Sequence, residues 1–156
     1  MATGSEGLVR LAGVNDVSEI GRLLSDFNHE FGEPAPSPTA LADRLCQLLD
    51  KGETAVLLAG DGPDGLAVLR FRPAIWSPGL ECYLAELYVV PDRRGHGLGR
   101  ALMVGSLKEA RARGSDTISI EVDEPDLAAR SLYESLGFTN REGENGPLMF
   151  VYEREL

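Results

Sequence analysis

Residues 89–103 read Val89-Val90-Pro91-Asp92-Arg93-Arg94-Gly95-His96-Gly97-Leu98-Gly99-Arg100-Ala101-Leu102-Met103 and join the end of an apolar segment to a glycine-rich turn and the start of a helical pattern. An apolar strand predicted over residues 84–90 runs into a proline. A basic, glycine-rich turn follows, and a helix is expected to begin at Gly97 or Leu98. Glycine lets the backbone adopt unusual angles and approach a ligand closely, and the first helical turn offers unpaired N–H groups with partial positive charge. These features are typical of a phosphate site, although a surface turn that only caps a helix can look the same.

Two common phosphate-binding loops are excluded by the spacing of the glycines. No Gly-x-x-x-x-Gly-Lys-Ser/Thr run occurs in the chain, so the loop of the P-loop nucleotide hydrolases is absent. Gly95, Gly97 and Gly99 are spaced Gly-x-Gly-x-Gly, whereas the dinucleotide-binding loop requires Gly-x-Gly-x-x-Gly within a βαβ unit.

The composition is that of a globular domain. The chain has 156 residues, of which 43% are hydrophobic and 26% charged, so we predict a single domain over residues 1–156 with residues 1–6 flexible. The net charge of -10 disfavours nucleic-acid binding, which requires a basic surface. No apolar run is long enough to span a membrane, and the first residues lack the pattern of a signal peptide. We therefore expect a cytoplasmic protein without membrane or nucleic-acid partners.

The two cysteines indicate neither a metal site nor a redox pair. Cys46 and Cys82 are far apart in the sequence, and each lies in an apolar helix or strand pattern. Such a position is typical of a buried free thiol. We expect no bound metal.

The rest of the chain predicts alternating strands and helices. Apolar periodicity and turn residues give the order β-α-α-β-β-β-α-β-α-β-β, with the last two strands at residues 138–141 and 148–153. This order predicts an α/β fold in which a mixed β-sheet is flanked by helices on both faces, with the strands before and after the third helix parallel. Asp16-Val17-Ser18-Glu19 predicts a capping box on the first helix, and Ser37 an N-cap on the second.

A second motif lies about thirty residues after the glycine-rich turn. It reads Ala129-Arg130-Ser131-Leu132-Tyr133-Glu134-Ser135-Leu136-Gly137-Phe138. Together with Leu87-Tyr88-Val89-Val90-Pro91 and Arg94-x-x-Gly97-x-Gly99, it resembles the GCN5-related N-acetyltransferase (GNAT) family over nearly the whole chain. The family often has asparagine where Asp126 stands. The resemblance implies a GNAT-type, partly splayed sheet that binds acetyl-CoA as cosubstrate between its fourth and fifth strands.

The resemblance also implies which residues bind acetyl-CoA. Backbone N–H groups of residues 94–100 would hold the pyrophosphate, and main-chain groups of residues 87–89 would pair with the pantetheine arm. The implied cofactor-binding set is Leu87, Tyr88, Val89, Arg94, Gly95, His96, Gly97, Leu98, Gly99, Arg100 and Asp126.

Two residues are candidates for the chemistry. Tyr133 matches the family tyrosine that acts as general acid toward the coenzyme A sulfur, and the alternative is a packing residue that only orders the cofactor. Glu86 is an acid in an apolar strand, which is unfavourable unless the group is paired, hydrated or functional. By simple alternation it shares a face with Leu84 and Tyr88, unless a β-bulge changes the alternation. It is the candidate base, directly or through water, although an exposed strand residue or a water chain without a protein base would also fit.

The acceptor pocket is expected near the end of the first helix and around the third strand. The candidate lining residues are Phe27, Asn28, Phe31, Arg70 and Trp76; the two phenylalanines also have core spacing, and Trp76 could equally be a packing residue.

The implied function is an acetyl-CoA-dependent N-acetyltransferase. It would transfer an acetyl group to a primary amine of a small molecule or protein by direct attack in a ternary complex. The alternatives are a non-catalytic acyl-CoA-binding sensor or regulatory module on the same fold, and a different module that binds ATP or NAD. The acceptor, the acyl length, and whether the protein is a monomer or a homodimer stay open.

Overall fold

The computed structural model describes residues 8–156. These residues form two units, the first ending at Ile120 and the second spanning Glu121–Leu156. The first unit contains β1 Val9–Leu11, α1 Val17–Glu30, α2 Pro38–Asp50, β2 Thr54–Ala59, β3 Gly65–Pro73, β4 Leu80–Val89, α3 Leu98–Ala112 and β5 Ser115–Ile120. The second contains α4 Leu127–Ser135. The prediction of flexible residues 1–6 lies outside the described residues, and the single domain stays a prediction.

The first unit is built on a mixed five-stranded sheet in the order β1-β2-β3-β4-β5. Neighbouring strands from β1 to β4 are antiparallel, and β4 and β5 are parallel. The parallel pair is joined through α3, since parallel neighbours need a crossover connection. The sheet confirms the α/β class and the predicted parallel pair.

Helices cover both faces of this sheet. On one face Ile20, Leu23 and Leu45 of α1 and α2 pack with Val56, Leu58, Leu66 and Val68. On the other, Leu98 and Leu102 of α3 pack with Leu57, Ala59 and Ala67. Side chains of a strand alternate between its faces, so a strand covered on both sides must be apolar throughout. All six residues of β2 are buried accordingly.

A β-bulge in β4 changes which side chains share a face. Val68 pairs with Glu86, but the next residue, Leu69, pairs with Leu84, so Ala85 has no partner in β3. Paired residues project to the same side of a sheet, and therefore Glu86 lies on the α1–α2 face and Leu84 on the other. The prediction that Glu86 and Leu84 share a face is wrong because the extra residue reverses the alternation. The prediction holds for Tyr88, which belongs to the same cluster as Val68.

The sheet opens between β4 and β5. Pairing between the two strands covers only Leu80–Leu84 of β4. Among the described residues, Ala85–Val89 therefore has no strand neighbour on that edge. This is the partial splay expected from the family resemblance.

Two predictions about local structure need correction. The Asp16 carboxylate does not cap the amides of α1; it accepts hydrogen bonds from the Arg10 guanidinium at 2.8 and 3.0 Å and from the Gly13 N–H at 2.9 Å. These contacts hold the pKa of Asp16 at about 2. Cys46 is exposed rather than buried, because it points away from the apolar face of α2, whereas Cys82 is buried. The Ser37 cap is confirmed, since its hydroxyl accepts from the Ala40 N–H.

The last two predicted strands are absent from the described part of the chain. Residues 138–141 and 148–153 contribute only one isolated bridge, between Arg141 and Leu148. Two backbone hydrogen bonds accompany the bridge, from the Glu142 N–H to the Pro147 carbonyl at 3.0 Å and from the Met149 N–H to the Asn140 carbonyl at 2.7 Å, and no longer ladder forms in the described chain. Phe150 and Tyr152 are 71% and 91% exposed. The apolar pattern of this segment is typical of a strand, but it does not indicate whether a partner strand is available for pairing.

Candidate active site

The turn between β4 and α3 is shaped by two glycines in left-handed conformations. Pro91–Arg93 forms one turn of 3-10 helix. Gly95 follows with φ of 78° and Gly97 with φ of 84°, and Gly97 is the N-cap of α3. Residues with a Cβ are strained in this region. The glycines are therefore required by the path of the backbone, and not only by the closeness of a ligand.

Five successive backbone amides in this turn make no hydrogen bond to any described residue. They belong to residues 95–99, and no side chain caps the helix at Gly97. A Cβ added to Gly95 or Gly97 would have no atom within 4 Å, so the backbone is uncrowded at these two positions. Unpaired amides at a helix N-terminus form a site that fits an anionic group such as a diphosphate.

The side chain of Arg94 has a structural function in this turn. Its Nη2 donates to both carboxylate oxygens of Glu30, at 2.8 and 2.9 Å, and its Nε donates to the Val89 carbonyl at 2.9 Å. The guanidinium also lies 5.7 Å from the centre of the Tyr88 ring. Arg94 thus ties the turn to α1 and β4, and its charge is largely neutralised by Glu30. Its own N–H already donates to the Pro91 carbonyl, so the open amides begin at Gly95.

Residues 87–89 lie on the part of β4 that has no neighbour on the β5 side. The Tyr88 side chain is buried and stacks on Phe27, with ring centres 5.0 Å apart. The Val89 carbonyl accepts from Arg94, which leaves the other main-chain groups of this free edge for a ligand. An extended chain such as pantetheine can pair with a free strand edge.

A pocket of about 180 Å³ lies between the sheet and the α1–α2 pair. Its walls are apolar side chains with three polar ones among them. The lining residues are Leu24, Asn28, Leu41, Leu45, Leu48, Val68, Arg70, Ala85 and Glu86. The bulge at Ala85 directs Glu86 to this side of the sheet.

The three polar side chains of this pocket lack protein partners. Asn28, Arg70 and Glu86 make no side-chain hydrogen bond or ion pair with any residue in the described range 8–156. Glu86 is half-buried, and its burial raises its pKa above the usual value. A carboxylate with a raised pKa and no partner has the properties expected of a general base.

The other predicted acceptor contacts lie outside this pocket. Phe27 packs against Tyr88, Phe31 is 63% exposed beyond the end of α1, and Trp76 is 96% exposed in the β3–β4 connection. Sequence reasoning missed the leucines of α2 as pocket walls, because their spacing is also that of core residues. It missed Glu30 as well, since no local signal links Glu30 to Arg94, 64 residues away.

Tyr133 and Asp126 belong to the second unit. The Asp126 carboxylate accepts from the Ala129 N–H at 3.0 Å and caps α4, a function that aspartate and asparagine perform equally well. Tyr133 is buried, and burial together with the charge of Asp126 raises its pKa to about 12. Its hydroxyl makes no hydrogen bond within the described chain. The phenol is therefore protonated at neutral pH.

Neither a metal-binding cluster nor a membrane-spanning helix occurs among residues 8–156. No group of three or more histidine, cysteine or acidic residues there is arranged to hold a metal ion. No helix in this range has the length and apolar character needed to cross a membrane.

Comparison with known proteins identifies the family. The model of the Acetyltransferase (GNAT) family matches residues 20–138. A mycothiol acetyltransferase of Thermobispora bispora is 37% identical over 121 residues, which are 74% of this chain and 35% of the relative. The uncharacterized N-acetyltransferase YhfO of Bacillus subtilis is 25% identical over 86% of this chain and 91% of its own. The chain spans about a third of the length of the mycothiol acetyltransferase it matches.

Solved structures show the same fold. A putative acetyltransferase from Arthrobacter sp. FB24 is 46% identical and superposes with a TM-score of 0.90, over 100% of this chain and 99% of that one. An aminoglycoside acetyltransferase from a soil metagenome, in complex with sisomicin, has a TM-score of 0.75 at 18% identity over 94% of this chain and 95% of its own; at that identity only the fold is comparable. The family match covers well over half of the residues, and the chain therefore belongs to the GNAT acetyltransferase family.

Proposed function

We propose that this protein transfers an acetyl group from acetyl-CoA to a primary amine bound beside Glu86. The observation that carries the proposal is the row of five open amides at residues 95–99, which directly follows the free edge of β4. Family members use acetyl-CoA, and this pair of features fits its diphosphate and its pantetheine arm. We further propose a cytoplasmic location and a small-molecule or protein amine as acceptor.

Bound acetyl-CoA would supply an acyl group activated as a thioester. The amides of residues 95–99 would neutralise the diphosphate without relying on the Arg94 side chain, which is engaged by Glu30. The main-chain groups that the segment 85–89 presents on the edge without a strand neighbour would orient the pantetheine arm along β4. This arrangement directs the reactive end toward the bulged segment that carries Glu86.

Glu86 would accept the proton that the amine must lose. Only a neutral amine attacks a thioester, and the new N–C bond requires loss of one N–H proton. A half-buried carboxylate without a partner, whose pKa is raised by burial, is a stronger base than an exposed one. The attack forms the amide bond, breaks the C–S bond and leaves a thiolate.

Tyr133 would stabilise that thiolate, a role that rests on the family resemblance. Its pKa of about 12 lies roughly 3.5 units above that of an ordinary thiol near 8.5, so complete proton transfer would be uphill by about 5 kcal/mol. We therefore propose that Tyr133 donates a strong hydrogen bond to the departing sulfur and that solvent completes the protonation.

The proposal is tested by acetyl transfer to a panel of acceptors. The panel should hold amino acids, simple alkylamines, an aminoglycoside, a lysine peptide and the acceptor of the mycothiol acetyltransferases. Coenzyme A release is followed with a thiol reagent, using a Cys46→Ser background because Cys46 is exposed. We expect turnover with at least one primary amine. Binding of coenzyme A without transfer to any amine would instead favour an acyl-CoA sensor, and binding of ATP or NAD in its place would refute acetyl-CoA use.

A further inference from the structure

The acceptor pocket is lined by the positively charged side chain of Arg70, which has no part in the acetyl transfer proposed above. Arg70 projects from β3 on the same face as Val68, the partner of Glu86 across the strands, and it lines the pocket with Glu86. It makes no hydrogen bond and no ion pair with any residue of the described chain. Its neighbour Arg72, two residues further along β3, is paired with Glu81 at 2.5 Å. Arg70, an exposed residue at the rim of the pocket, thus has no partner in the described chain, whereas Arg72 has one.

The charges of the pocket are separated along the sheet. Val68 and Arg70 are two residues apart on one strand, which places their Cα atoms about 7 Å apart. A negative group at Glu86 and a positive group at Arg70 therefore occupy different ends of one pocket. A ligand that satisfies both must carry an amine and an acidic group on a short scaffold.

The walls and the size of the pocket restrict the scaffold. Leu24, Leu41, Leu45 and Leu48 supply an aliphatic surface. The pocket is open to solvent and has a volume of about 180 Å³, below the usual range of pockets for drug-sized ligands, so the part of the acceptor that it holds is small. One guanidinium offers the paired N–H donors that match a single carboxylate.

We propose that the acceptor is a small amino acid-like molecule, whose amine meets Glu86, whose carboxylate meets Arg70 and whose aliphatic part packs on the leucines of α1 and α2. This assignment rests on the proposed acetyltransferase function. It disfavours aminoglycosides and other polycations, because Arg70 would repel their additional positive charges. Asn28, at the same pocket, supplies a further hydrogen bond to the polar end of the acceptor.

The test compares leucine with 3-methylbutylamine, which has the same side chain and amine but no carboxylate. We expect kcat/KM for leucine to exceed that for the amine by roughly 10- to 100-fold, as expected for a charge-assisted hydrogen-bonded pair. Arg70→Met should remove this preference mainly by raising KM for leucine. Arg72→Met is the matched control and should leave both acceptors unchanged.

A binding measurement separates this inference from the proposed function. Calorimetric titration of leucine into the protein loaded with coenzyme A should show binding that Arg70→Met weakens by the same factor and Arg70→Lys weakens less. Equal kcat/KM for leucine and 3-methylbutylamine, or equal leucine binding by the wild type and Arg70→Met, would overturn the inference while leaving acetyl transfer intact. A lack of transfer to every amine in the panel would overturn the proposed function and this inference with it.

Discussion

At the scale of single residues, burial of the Glu86 carboxylate disfavours its charged form and so reduces the stability of the folded protein when that form predominates. Its burial raises the pKa, and no partner in the described chain stabilises the charged form. A group with a raised native pKa contributes stability below its unfolded pKa and loses that contribution as the pH rises through the native value. The contribution of Glu86 to the free energy of unfolding is therefore lower at neutral pH than at a pH below its unfolded pKa.

Replacing Glu86 with glutamine should accordingly increase stability and reduce activity. At pH 7 the Tm of Glu86→Gln is expected to exceed that of the wild type, and the difference should shrink toward pH 4, where the wild-type carboxyl is protonated. Loss of a general base should lower kcat by roughly 10²- to 10⁴-fold. Differential scanning fluorimetry across pH and steady-state kinetics measure the two effects. Glu81→Gln, which loses its ion pair with Arg72, should not gain stability; a less stable or fully active Glu86→Gln would contradict this role.

Tyr133→Phe separates chemistry from cofactor binding. Removing a hydrogen bond to a developing charge should lower kcat by roughly 10- to 100-fold, whereas the Kd for coenzyme A should stay nearly constant. Stopped-flow turnover and calorimetry report the two quantities. Tyr152→Phe is the control, because Tyr152 is 91% exposed. Unchanged turnover in Tyr133→Phe would remove this residue from the reaction.

At the scale of elements, α3 offers a matched pair of glycines at its two ends. Gly97 precedes the helix with φ of 84° and Gly114 follows it with φ of 85°, and a Cβ at either would meet no atom within 4 Å. Substitution by alanine therefore imposes the same backbone strain, about 1–2 kcal/mol, at both ends. Only Gly97 contributes to the row of open amides.

Gly97→Ala and Gly114→Ala should consequently lose similar stability but differ in ligand binding. We expect a similar decrease in the free energy of unfolding for both variants, measured by urea titration. The Kd for coenzyme A should rise by tenfold or more in Gly97→Ala and change little in Gly114→Ala. Equal affinities in the two variants would show that the turn before α3 does not hold the cofactor.

At the scale of the whole molecule, periodicity predicted the order of elements through α4 because alternation and helical spacing are local properties. The bulge at Ala85 was not predictable in this way, since it is defined by pairing with β3, and it decides on which face Glu86 lies. The Arg94–Glu30 pair joins residues 64 positions apart, and the sequence around neither residue indicates that they pair. The segment from Leu148 is apolar enough to be a strand, yet forms one bridge.

Part of the candidate site was also predictable from the sequence. The sequence shows a cluster of glycines at positions 95, 97 and 99 and an acid at position 86 within an apolar strand pattern. The leucine walls contributed by α2 are not, because a leucine that faces a pocket has the same spacing as one that faces a core. Trp76 was proposed for recognition because it is a large aromatic residue between two prolines; it is 96% exposed and does not line this pocket, and its role in acceptor binding stays a prediction.

The central claim is that the amides of residues 95–99 receive the diphosphate of coenzyme A. Residue-resolved amide hydrogen exchange by NMR tests it directly when coenzyme A is compared with pantetheine, which lacks the diphosphate. The account predicts slowed exchange and shifted resonances at residues 95–99 with coenzyme A, and little change there with pantetheine. Unaltered amides at these positions in the presence of saturating coenzyme A, or equal changes with pantetheine, would contradict it.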